Sequence, residues 1–246
     1  MSLAARLMNV FAVPGDVFEE VKSVRASVAN WLVPALTASL VGAVASFIMF
    51  SQPAIVQQIS ETQERAMRQE FDKQVAAGKM SQADADKAME MMAKFTGPTV
   101  MKISGAVVSV LISFARVFWW GLVMWLLGKL ILKTEFGYLK AVEIAGLTSM
   151  IAVLGQIVSL LMIVNLGKLF STPSLALAVA DFDVKNKGHL FLGAANLFTF
   201  WQVALMAVGL ARLASVPLPR ALLPVLGFWI VWTTVLVFSG LGQFAL

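Results

Sequence analysis

Arg116 is the residue whose type and place most call for chemistry. It stands in Ser113-Phe114-Ala115-Arg116-Val117-Phe118-Trp119-Trp120, inside a stretch, Ile103–Leu132, whose only other charge is Lys129. A charge at the centre of a membrane helix costs about 2.5–3.5 kcal/mol on insertion scales, so such a side chain faces a protein interior or a wet cavity. Glu143, early in the next apolar stretch, is the obvious counter-charge. An Arg116–Glu143 pair lining a polar crevice is therefore the functional expectation. The plainer alternative has Arg116 capping carbonyls or reaching a headgroup while Glu143 stays at the interface. Gln156, Asn196 and Gln202 lie in other apolar stretches and could extend a polar path, although helix–helix hydrogen bonds of roughly 0.6–2 kcal/mol account for such residues equally well.

Other chemistry is poorly served. His189 is the only histidine and the chain has no cysteine, so no metal site is expected and thiol chemistry is excluded. Glycine-rich phosphate loops, Gly-x-Ser-x-Gly elbows, His-Glu-x-x-His helices and paired catalytic carboxylates within an apolar stretch are all missing from the sequence. The reading is non-enzymatic, with no cofactor. Trp119, Trp120 and Trp125, with Phe118, make one stretch unusually aromatic. Lipid and interhelix packing explains them first, and a face for a partner or an acyl chain second.

The elements that must position these residues follow from solvent. Of 246 residues, 59% are hydrophobic and only 13% charged, whereas soluble domains carry about a quarter charged. Residues 26–60, 144–167, 188–211 and 221–246 are uncharged. Each supplies the ~20 apolar residues that cross about 30 Å of hydrocarbon as a helix. Backbone groups in lipid must be bonded within the chain, and these runs lack the period-2 alternation of barrel strands. The expected fold is an all-α membrane protein with five transmembrane helices, at 31–50, 103–132, 139–165, 190–213 and 220–243. The charged residues of 1–25 argue against a removable signal peptide.

Residues 1–30 read as an amphipathic segment at the membrane surface. Leu3, Leu7, Met8, Val10 and Phe11 recur at helical spacing, and Pro14-Gly15 then breaks the helix. Asp16 and Glu19 resemble a capping box that starts a second short helix through Val17, Phe18 and Val21. Between the first two spans lies the one long polar region, 51–102. Glu61–Val75 and Ser81–Phe95 read as amphipathic helices joined at Ala77-Gly78-Lys79, with Ser81 as cap and Asp84 three positions on. This predicts an extramembrane helical hairpin, with Met89, Met91 and Met92 as a possible adaptable surface. In the 166–189 link, Pro173 breaks the chain and the Asp181–Lys187 region is polar.

The net charge of +5 is spread over short loops, which fits orientation and headgroup contact and not nucleic-acid binding. Arg6, Lys22, Arg25, Lys129, Lys133, Lys140, Arg212 and Arg220 would share the cytoplasmic side if the N-terminus is inside. The C-terminus is then outside.

Asn9-Val10-Phe11, Pro14, Phe18, Glu20-Val21, Trp31 and Pro34 form an entry segment that resembles the Yip1-domain family of polytopic membrane proteins. Phe136-Gly137-Tyr138, Gly209-Leu210-Ala211, Arg220-Ala221-Leu222 and Trp229 extend the resemblance beyond the insert at 51–97. It implies a five-span helical domain with a cytoplasmic N-terminus, and in eukaryotic members roles in vesicle traffic with small GTPases. The Asp-Leu-Tyr-Gly-Pro pattern of those members and their long N-terminal region are not found, so a prokaryotic member in a bacterial inner membrane is the expectation. The functional expectation is a scaffold or interaction protein, meeting membrane lipids and a protein partner through the 51–102 hairpin or the aromatics of the second span. The alternative is a transporter or channel for a small solute, ion or lipid with Arg116 in a polar crevice.

Overall fold

The computed structural model describes residues 1–95 and 97–242, with the side chains of 92–95 left out. The Met92 side chain and the end of the fifth expected span at 243 fall outside what is described. Ten α-helices follow one another: α1 (Leu3–Asn9), α2 (Pro14–Ser23), α3 (Ala29–Met49), α4 (Pro53–Ala76), α5 (Gln82–Phe95), α6 (Pro98–Leu126), α7 (Tyr138–Leu166), α8 (Lys187–Ala194), α9 (Leu197–Ala214) and α10 (Leu218–Phe238). Among the described residues no strand forms, apart from one antiparallel bridge between Ser174 and Asn196.

Among the described residues five helices are long and apolar enough to cross a bilayer: α3, α6 with its continuation to Ile131, α7, α9 and α10. The protein is an all-helical membrane protein with five spans and a helical hairpin between the first and second. Because the spans alternate in direction, α3 and α7 start, and α6 and α9 end, on one face, here called the entry face. The hairpin lies on the opposite face.

Proline sets the start of several helices. Pro14, Pro53 and Pro98 each occupy the first turn, where a missing N–H costs nothing and φ is already helical. Val13 precedes Pro14 and no side chain caps α2, so the expected Asp16–Glu19 capping box does not form; Asp16 sits inside the first turn instead. Pro53 likewise starts α4 eight residues before Glu61, and the 24-residue helix runs about 36 Å. The hairpin's turn is at Gly78, whose φ of 67° suits glycine. Ser81 accepts the amide of Asp84 at 3.1 Å, as its spacing requires.

The N-terminal segment turns its apolar face to the protein. Val10, Val17, Phe18 and Val21 are fully buried in the main core with α7 and α9, and Leu7 and Phe11 pack against that core. Met8, 71% exposed, is left outside. Two short helices folded back on each other can bury these residues against the ends of the spans more completely than headgroups would.

Small residues bring α3 and α6 together. Ala38, Gly42 and Ser46 recur every fourth position on α3, and Gly105, Ser109 and Ser113 do so on α6. A methyl on Gly42 would meet Ser109 at 2.8 Å, and one on Gly105 would meet Ser46 at 2.8 Å. The two antiparallel ladders therefore interlock at backbone range, the packing that membrane helices favour when lipid supplies no hydrophobic drive between them.

The expected fourth span, 190–213, is two helices. Asn196 breaks it, its side chain accepting the amide of Phe198 at 2.9 Å as the N-cap of α9. Leu175 and Leu197 donate to the carbonyls of Ala195 and Pro173, which ties the 166–189 link to this break.

Candidate functional site

Two polar clusters lie in the bundle, and the expected site residues are divided between them. A cavity of about 130 Å3 opens beside α6 and is lined by Arg116, Gln156, Gln202 and the hydroxyls of Ser109, Ser113 and Ser149, with Ala38, Ile112 and Trp120 among its apolar walls. Four spans contribute: α3, α6, α7 and α9. Gln202 is 7% exposed. The Gln156 side-chain oxygen is buried without a hydrogen-bond partner. Ser113 is satisfied by its own helix, donating to the Ser109 carbonyl at 2.7 Å.

Arg116 and Glu143 do not pair. Their helices are antiparallel, and helical side chains lean toward their own helix's N-terminus. Arg116 therefore leans away from the entry face and Glu143 toward it. Among the described residues no carboxylate stands within salt-bridge reach of Arg116. Arg116 lines the cavity and is itself exposed at its edge. Asn196, as the cap of α9, is also outside the cavity lining.

Glu143 belongs to the second cluster, at the entry face. It is 1% exposed and accepts from the Ser27 amide at 2.8 Å and the Asn30 side-chain amide at 2.7 Å. The Lys140 ammonium stands 3.1 Å from its other oxygen and donates to the carbonyls of Val21 and Val24. Asn30, itself fully buried, accepts from Arg6 at 3.2 Å. Arg6 continues to Glu20 at 3.0 Å. The Met1 amine and Arg6 both donate to the Glu20 carboxyl and hold it below the ordinary glutamate range. This chain of contacts clamps α1 and α2 across the starts of α3 and α7. A buried, paired and hydrogen-bonded carboxylate of this kind is structural chemistry.

Sequence reasoning missed Arg6, Asn30, Ser27 and Lys140. Lys140 and Glu143 are three apart on one helix, a local signal for an ion pair. The links to residues 27 and 30 span more than 110 positions and left no local trace.

The aromatics of α6 also divide. Trp119 packs at a tilt against Trp232 at 4.7 Å and lies 6.3 Å from Phe228, while Trp120 meets Phe228 edge-on at 5.9 Å, so these rings join α6 to α10. Trp125 packs edge-on to Tyr138 and carries Lys129 over its ring at 5.1 Å. Lys129 lies in a π-helical turn, Leu127–Ile131, that ends α6. His189 accepts the Asp183 amide at 3.0 Å and lies beside Phe182, holding the link before α8.

The entry segment, the five spans and the loop before α7 are thus one helical unit, and the Yip1 domain matches residues 8–240 of the chain. The chain belongs to the Yip1 family. No curated protein and no solved structure matches it. The Yip1 match covers the Arg116 cavity, the hairpin and the second cluster from Glu20 onward, and begins after Arg6. Of the residues that carried the resemblance, Val10, Phe18, Val21, Leu210 and Ala221 are core residues. Phe136 packs against the Gly128 position in the turn after α6, where a Cβ would collide with its ring.

Proposed function

We propose that this Yip1-family protein is a non-enzymatic membrane scaffold whose α4–α5 hairpin is its protein-partner contact. The observation that carries this reading is the hairpin's surface. α4 buries only Ile55, which lies in its first turn. Its attachments are few and sit near its base and middle: Gln58 bonds the Gly167 carbonyl at 2.8 Å and the Leu169 amide at 3.3 Å, and Lys185 reaches Gln69 at 2.7 Å. The outer length of both helices is left to water or to a partner. Arg68 is raised above its ordinary value by the hydrogen bond it donates to Glu64 and remains fully charged there, and the surface carries both signs of charge, which suits selective recognition more than bulk attraction.

The compartment in this reading is a bacterial inner membrane, with the entry face cytoplasmic. Photo-crosslinking from Arg65 and Gln82 in native membranes tests the partner role. A discrete protein adduct is expected, lost when residues 63–92 are replaced by a short Gly-Ser linker that keeps Gln58. Absence of any adduct overturns the reading.

A second reading, a route for a small solute, ion or lipid, is favoured by one observation: the polar cavity that reaches Arg116. Proteoliposome flux that disappears in Arg116→Leu would establish it over the scaffold. Equal flux in both proteins would count against it.

A further inference from the structure

An arginine without a counter-charge, beside an amide oxygen without a donor, is an incomplete site. Arg116 offers a planar fork of N–H donors that matches an oxyanion in two parallel bonds. The Gln156 oxygen, buried and unpartnered, needs a donor. Gln202 and Ser149 complete the polar lining. A ligand that satisfies all of these carries an anionic group and a hydroxyl within a few ångströms of each other.

The surroundings say where that ligand comes from. Val108 and Ile112, two turns and one turn before Arg116 on α6, line the same cavity and are 47% and 41% exposed on the outer side of the bundle. α10 meets α6 through Trp119, Trp120, Phe228 and Trp232. That contact lies toward the entry face, leaving the side at Val108 and Ile112 open. The mouth therefore faces acyl chains. Gly42 opposite Ser109 and Gly121 opposite Val142 set the level of Arg116 about two helical turns inside the starts of α3 and α7.

We propose that the Arg116 cavity is a lipid-headgroup site, taking the phosphate oxyanion of one anionic, hydroxyl-bearing lipid that enters sideways from the bilayer. Arg116 binds the phosphate, Gln156 accepts from the headgroup hydroxyl, and the chains lie along Val108 and Ile112. The site is independent of the hairpin, so loss of a protein partner leaves it standing and its own loss leaves partner capture intact.

The test uses the full chain, purified and delipidated, titrated with phosphatidylglycerol and read by native mass spectrometry. One tightly held lipid is expected, with phosphatidylethanolamine bound about tenfold more weakly, because its ammonium is a like charge beside the Arg116 guanidinium and leaves the headgroup with no net negative charge. Arg116→Gln is expected to lose about tenfold or more, and Arg116→Lys, which keeps the charge without the fork, to fall between. Lys102→Gln, on the same helix outside the cavity, should bind as the parent does. Gln156→Leu should weaken binding several-fold while remaining folded, which keeps the proposal testable if Arg116→Gln fails to fold. Inorganic phosphate is the competing source and should not displace the lipid. Displacement by inorganic phosphate, equal binding of the two lipids, unchanged affinity in Gln156→Leu, or equal loss in Lys102→Gln each overturns the proposal.

Discussion

Glu143 shows what a buried charge does when its neighbours are arranged for it. Ser27, Asn30 and Lys140 all face it, and it is 1% exposed. Removing it strands a buried ammonium and two donors, and breaking a buried pair by deleting one partner costs about 3–5 kcal/mol. Glu143→Ala should therefore lower the melting temperature in detergent sharply, and Glu143→Gln, which still accepts from Asn30, should lower it less. Equal, small shifts in both variants would show that the cluster contributes little. Arg116 was legible because its neighbours along the chain are apolar, and Gln156 and Gln202 because they are polar within spans. What could not be read was direction. One arginine and one glutamate in adjacent spans look like a pair until the antiparallel helices tilt their side chains apart. Asn196 was misplaced for a different reason: asparagine before an apolar run is also a helix-start signal, and the uncharged run hid the break.

Helices could be counted from the sequence, since charge-free runs of span length leave lipid no other use. Their ends were less legible. Pro53 and Pro98 mark the true starts of α4 and α6, but the charge pattern drew attention to Glu61 and to Ile103 instead. The π-helical turn after Leu126 depends on Gly128 meeting Phe136, a contact no periodicity reveals. How tightly helices approach is set by single glycines, and Gly146 is the severest case. A methyl there would fall on the Trp31 backbone and the Asn30 carbonyl, neither of which can swing aside as a side chain can. Gly146→Ala should push α3 from α7 at a cost of about 1–3 kcal/mol. Gly227→Ala, where a methyl would meet nothing within 4 Å, should be neutral or stabilising by up to about 1 kcal/mol through helix propensity. Thermal unfolding of the two variants in one detergent compares them directly; similar losses in both would mean that close approach at Trp31 is not what limits this pair.

For the whole molecule, five spans put the starts of α3 and α7 on the face opposite the hairpin. Arg6, Lys22, Arg25, Lys129, Lys133, Lys140, Arg212 and Arg220 all lie at the entry face, in segments short enough for basic residues to govern orientation. The hairpin's own basic residues are offset by acidic ones on the same helices, as in Arg65 with Glu61 and Arg68 with Glu64, and long segments translocate largely regardless of charge. With the entry face cytoplasmic, position 23 should be inside the cell and positions 77 and 239 outside. The chain has no cysteine, so single cysteines can report on each end without background. Ser23→Cys, Ala77→Cys and Ser239→Cys are all at exposed positions. A membrane-impermeant maleimide added to intact cells, whose outer membrane is first permeabilised where one exists, should label positions 77 and 239, and reach position 23 only after lysis. Labelling of 23 alone would invert the topology. Labelling of 77 with 23, or of 239 with 23, would place both on one side and break the odd count of crossings on which the placement of every loop depends.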